Sequence, residues 1–199
     1  MAELTRENVE QIISMARTKR EVPNFQGVDL TSLDLSGLNF LRANLSRADL
    51  RGANLSGADL SRVDLGSANL SEVNLHGQDL SGVKFMNADL VGTDLSMAYL
   101  VLADFTDANL TKANLSGANL NWGYLTRADI SKANIRKVEF TETRVDDANF
   151  SQAVMEYIVI LNKLYEKKKR DKVQGNPDRK ESKNGSPRTD AAEFYGTDQ

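Results

Sequence analysis

The chain has 199 residues, with 28 Asp and Glu against 25 Lys and Arg, one histidine, one tryptophan and no cysteine. The absence of cysteine excludes disulfides and thiolate metal sites, and a lone histidine, His76, argues against a histidine-based metal site or catalytic dyad. The mild acidity is not the profile of a nucleic-acid-binding domain, and no apolar run reaches the ~18 residues that a membrane span requires.

The N-terminus, Met1-Ala2-Glu3-Leu4-Thr5-Arg6-Glu7, lacks the basic-then-apolar order of a signal peptide, so a cytoplasmic setting is expected. Residues 4–19 read as an amphipathic helix within an N-terminal capping segment, 1–22. Thr5 suits the N-cap because its hydroxyl accepts from a first-turn N–H, and Leu4 and Val9 occupy the two positions of a hydrophobic staple. Val9, Ile12, Ile13 and Ala16 recur at helical spacing. Arg17, Lys19 and Arg20 suit the negative end of the helix dipole, and Pro23 bars continuation.

From Phe25 to Phe150 every fifth residue is large and apolar, 26 positions in a row without insertion or deletion. Two residues before each stands a smaller residue, most often alanine, and between them Asp or Asn, as in Ala53-Asn54-Leu55-Ser56-Gly57. A helix cannot carry this period: at about 100° per residue, five residues advance roughly 500° and smear the leucines around the cylinder. A flat strand fails too, because apolar spacing of 2, 3, 2, 3 slips the two-residue alternation. A short extended piece followed by a bend keeps all the leucines on one side and winds the chain into a β-solenoid. Ser, Gly and Asn after the central residue suit the bends.

The pattern Ala48-Asp49-Leu50-Arg51-Gly52 and its neighbours, over residues 23–152, closely resembles the pentapeptide-repeat family. The resemblance implies a right-handed quadrilateral β-helix of about 26 pentapeptides, four to a coil. At ~4.8 Å per coil that is about six and a half coils and a rod of roughly 30 Å. Gln78 and Gly123 depart from the pattern at the small inward position, and Lys84, Tyr99 and Tyr124 at the Asp/Asn position. Residues 153–170 are expected to form a second, more apolar helix N-capped by Ser151. Val154, Tyr157, Ile158, Leu161, Leu164 and Tyr165 would share the face that closes the rod or pairs two copies. Residues 171–199, rich in Gly, Pro, Ser and mixed charge, read as a disordered tail.

No catalytic constellation, cofactor site or metal site emerges. His76 falls at an outward position, the Asp residues recur by repeat rather than in pairs, and the glycines mark bends rather than a phosphate loop. The resemblance also implies a sharper alternative, since the quinolone-resistance members are dimeric rods that imitate DNA and bind type II topoisomerases. Mimicry needs dense negative charge along a face. Grouping residues 20 apart over 23–152, the Leu45 face carries five acids and four bases, the Leu50 face five and three, the Leu55 face two and two, the Leu60 face four and two. No face is strongly acidic.

Outward positions should be polar, and the exceptions cluster. Met97, Tyr99, Val101 and Leu102 fall within one coil, Trp122 follows Leu102 by 20 residues, and Tyr124 lies around the corner. Exposed aromatic and Met side chains of this kind mark contact sites. The sequence therefore points to a non-catalytic scaffold for an unidentified protein partner or a second copy.

Overall fold

The computed structural model describes residues 4–155. Helix α1 spans Arg6–Lys19 and is N-capped by Thr5, whose side chain accepts from the Asn8 N–H while Asn8 Oδ1 accepts from the Thr5 N–H. Its stop is set before Pro23. Arg20 adopts φ 59°, and the Glu21 N–H returns to the Ala16 carbonyl at 2.8 Å, closing the last turn in the Schellman manner.

After α1 every pentapeptide builds the same unit, and parallel bridges join residues 20 apart, from Asn24↔Asn44 through Asn134↔Val154. The 20-residue step sets four pentapeptides to a coil, hence four faces. Between coils the central N–H donates forward to the next coil, as Leu45 N–H to the Asp64 carbonyl at 2.7 Å, while the N–H just before it donates back, as Asn44 N–H to the Pro23 carbonyl at 2.9 Å. Pairing is thus entirely between coils, and each coil depends on its neighbours.

The central residues form the core. Phe25 through Leu125 at five-residue intervals are 0–1% exposed, with the preceding alanines and valines filling the corners of the column. Phe85 and Phe105, one coil apart, stack with centroids 4.7 Å apart and planes at 4°. Alanine is favoured at the inner flank because four large side chains already meet in each narrow layer. Polar residues that enter this flank bring their own partners: Thr93 Oγ1 donates to the Leu70 carbonyl at 2.8 Å, Gln78 Nε2 to Leu55 at 2.7 Å, and Thr143 Oγ1 to Leu120 at 2.8 Å. Toward the end of the described residues Phe140, Val145, Phe150 and Met155 are only half-buried.

The start of the column is tied to α1. In later coils, carbonyls such as those of Asn44 and Ser46 accept N–H groups of the coil before. The first coil has no coil before it. There Arg6 Nη1 and Nη2 donate to the carbonyls of Asp34 and Ser36, each at 2.9 Å, and Arg17 Nη2 donates to Leu41 at 2.6 Å. Val9 is fully buried against the column, with Leu4, Ile12 and Ile13 packed beside it. Two guanidinium groups thus satisfy backbone acceptors that would otherwise face the underside of a helix.

The second helix does not begin at residue 153. Ser151 and Gln152 form a solenoid turn, the Ser151 N–H donates to Asn149 Oδ1 at 3.0 Å, and Val154 bridges Asn134 as the Asp/Asn-position residue of a further pentapeptide. Ser151 is therefore a turn residue and not an N-cap, and Val154 is extended. Tyr157, Ile158, Leu161, Leu164 and Tyr165, like the tail 171–199, lie outside the described residues.

Candidate interaction surface

The turn dictates what may stand outside. After each central residue two turn residues follow, and the next inner residue donates back, as Ala43 N–H to the Phe40 carbonyl at 2.6 Å. The second turn residue has φ between 54° and 70° in every repeat from Gly27 to Gln152. Positive φ at that place is the signature of a type II turn, which Gly fits without steric cost. The Asp or Asn preceding the centre caps the turn. Asn44 Oδ1 accepts the Ser46 N–H at 3.0 Å and the Ser46 hydroxyl at 2.7 Å, and the same bond recurs from Asn24 to Asn149. This explains why Asp and Asn interchange: either supplies the oxygen. Asn adds a link between coils, as Asn54 Nδ2 to Asp34 Oδ1 at 3.0 Å.

Against that regularity the second turn position is apolar in three of 26 repeats: Met97, Leu102 and Trp122. They adopt φ 58°, 60° and 58°, a region that costs a bulky residue of order 1 kcal/mol, and they stand 57%, 55% and 53% exposed. Leu102 and Trp122 share one corner of adjacent coils, where the Leu102 N–H donates to the Asn121 carbonyl at 3.1 Å. Tyr99, 58% exposed, lies mid-face between the corners of Met97 and Leu102, flanked through parallel bridges by Asp79 and Asn119. Met97 Sδ lies 2.5 Å from where a Cβ on Gly117 would stand, so Met97 covers that glycine of the next coil. Val101 is half-buried, and so is Tyr124, over whose ring Arg144 Cζ stands 5.5 Å from the centroid.

The rim is polar. Asp79, Glu139 and Glu142 are exposed, and Glu139 Oε2 accepts from Asn121 Nδ2 at 3.0 Å. Elsewhere on the surface Asp107 is held below the ordinary carboxylate range by its hydrogen bonds from Arg127. Asp49 is held low by the side-chain hydrogen bond from Arg51, and Asp29 by the backbone N–H of Thr31.

His76, exposed, meets Ser96 Oγ through Nδ1 at 2.8 Å, and Ser96 Oγ donates to Asp94 Oδ1 at 2.6 Å. With its proton committed to Asp94, the hydroxyl accepts from the imidazole; this order fixes a turn and does not prepare a nucleophile. Among the described residues no group of three or more His, Asp or Glu side chains could hold a metal ion, and no helix is long and apolar enough to cross a membrane.

Comparison with known proteins bears on this architecture. HetL, a pentapeptide repeat protein involved in heterocyst differentiation regulation in the cyanobacterium Nostoc sp. strain PCC 7120, is 30% identical over 66% of this chain, with a TM-score of 0.47. The likeness covers 65% of HetL, so the chain spans less than two thirds of that protein's length. A pentapeptide repeat protein of the Arabidopsis thaliana thylakoid lumen is 30% identical over 71% of this chain and 75% of its own, with a TM-score of 0.30. QnrB1, a plasmid-mediated fluoroquinolone resistance protein, is 20% identical over 66% of this chain and 70% of its own, with a TM-score of 0.36. No curated protein matches the chain. The model of pentapeptide repeats matches in 8 copies, over residues 24–62, 58–96, 68–107, 84–121 and 103–141. These matches cover residues 24–141 of the stretch that the bridges and turns build into coils, and the chain belongs to the pentapeptide repeat family.

Proposed function

We propose that the protein is a non-catalytic, rigid scaffold, regulatory in character, whose apolar corner around Leu102 and Trp122 receives another protein. One observation carries the reading: among the described residues the apolar second-turn residues are Met97, Leu102 and Trp122, neighbours within two coils, at backbone angles that favour glycine. Nothing in the fold requires them there, since polar residues and glycine fill the same place in the other repeats. Large, exposed, rigidly held aromatic and aliphatic groups are what interface centres use. The cytoplasmic setting expected from the sequence is part of this proposal and is checked by cell fractionation.

The test is the pair of substitutions Leu102→Ser and Trp122→Ser in one chain. Both sites are outward, so thermal unfolding should move by no more than about 1 kcal/mol equivalent, while retention of bound protein in affinity capture should fall severalfold against wild type. Equal retention by both proteins would remove the corner as a contact surface. The alternative, topoisomerase binding by DNA mimicry, requires a strongly acidic face that the charge distribution does not supply. Inhibition of gyrase supercoiling by the purified protein, or protection of gyrase from quinolone, would establish that alternative and displace the present reading.

A further inference from the structure

The corner that carries Leu102 and Trp122 runs along the solenoid, and its second turn residues read, coil by coil, Arg42, Arg62, Gly82, Leu102, Trp122, Glu142. Cations stand at one end, apolar groups near the middle and an acid at the other end. Gly82 makes a notch, because a Cβ built there meets nothing within 4 Å. Arg62 and Glu142 are both exposed, and among the described residues neither enters an ion pair.

Such an order is complementary to its own reverse. We propose that this ridge is the docking surface for a second copy of the chain, laid antiparallel with the two-fold axis at Leu102. The inference rests on the reading of the Leu102–Trp122 corner as a contact surface and names its occupant. A two-fold contact brings residue i onto j and j onto i. Leu102 then meets Leu102 of the second copy. Trp122, one coil along, enters the notch at Gly82. Glu142, two coils and ~10 Å from the axis at the usual strand spacing, meets Arg62. On the flank, Tyr99 faces its own counterpart, Tyr124 faces Lys84, and Arg144 faces Asp64.

Parallel pairing fails on the same residues, because it sets Arg62 on Arg62 and Glu142 on Glu142. The antiparallel register also opposes Asp104 to itself and Asp59 to Glu139, mid-face like pairs that keep the association reversible. The ridge therefore supplies an apolar centre with complementary charge at both ends, the arrangement that fixes register between two surfaces.

Sedimentation velocity of the full chain over a concentration series tests this. Wild type should pass from monomer to dimer. Arg62→Glu and Glu142→Arg should each weaken the dimer about tenfold or more, since each converts two symmetric attractions into repulsions. An equimolar mixture of the two variants should recover the wild-type dimer, because each copy supplies the charge that the other lacks. Gly82→Arg places at this corner the side chain that Arg42 and Arg62 already carry, so it should fold normally by circular dichroism and remain monomeric. Variants that dimerise like wild type, or a mixture that stays monomeric, would overturn the antiparallel ridge. A wild type that stays monomeric throughout, while Leu102→Ser with Trp122→Ser still reduces capture of bound protein, overturns the second copy alone. Loss of neither association nor capture removes both readings.

Discussion

At the scale of single residues the repeat is a turn with its own cap. Where Asp or Asn precedes the central residue, its side-chain oxygen takes an N–H that the turn would otherwise leave open, as Asn44 does for Ser46. Asn44→Asp should therefore be nearly neutral, whereas Asn44→Ala should lower unfolding free energy by about 1 kcal/mol, read in a urea titration. Unequal effects of the opposite order would show that side-chain charge matters more than the cap. The carboxylates add a pH dependence. Asp29, Asp34, Asp49 and Asp107 are all held below their ordinary range by hydrogen bonds, from Thr31, Ser36, Arg51 and Arg127 in turn. In each the unfolded chain binds the proton more readily than the folded one. Their contribution is thus complete above the ordinary carboxylate pKa near 4 and is lost as the pH falls through the lower folded values. The melting temperature should stay level from neutral pH to about pH 5 and decline below pH 4; a decline between pH 7 and 5 would contradict this assignment.

At the scale of elements the sequence was clearest where a position has one physical duty. The central column was legible because only large apolar side chains fill it, and the start of α1 because Thr5 and Leu4 stand where a cap and staple belong. Two things were hidden. The tethering of Arg6 and Arg17 to the carbonyls of Asp34, Ser36 and Leu41 joins residues up to 30 apart, and no local pattern announces it. The extension of the solenoid through Val154 was masked because valine replaces the Asp or Asn that marks the repeat, while Val154 and Met155 also fit an apolar helix. The outward apolar positions were readable from the period, but not the half-burial of Val101 and Tyr124, which depends on neighbours such as Arg144. The tether carries its own prediction. Arg6→Ala should cost about 1 kcal/mol, discounted for the partial exposure of the side chain. Amide exchange should quicken in α1 and the first coil, from residue 24 to about 43, and not beyond the neighbouring coil. Uniform loss of protection down to residue 150 would show a cooperative unit longer than nearest-neighbour coupling allows.

At the scale of the molecule, coil-to-coil pairing and the packed column make a stiff framework, and its regularity leaves little of it free for a specific task. Leu100 is fully buried at the level of the corner patch. Leu100→Ala should remove about 3 kcal/mol, and Leu100→Asp, which buries an unpaired charge, should unfold the central coils. A Leu100→Asp protein that melted like wild type would refute the inward assignment of the column. What distinguishes this chain from a featureless rod is the group of outward positions where the pattern yields to apolar side chains. Trp122, the single tryptophan, lies in that group and is 53% exposed. Its fluorescence across a dilution series reads the patch directly. Solvent-exposed emission is expected in dilute protein, shifting to shorter wavelength as concentration rises, with the shift abolished by Leu102→Ser. Emission that stays fixed over the whole range, or a shift that survives Leu102→Ser unchanged, would contradict it.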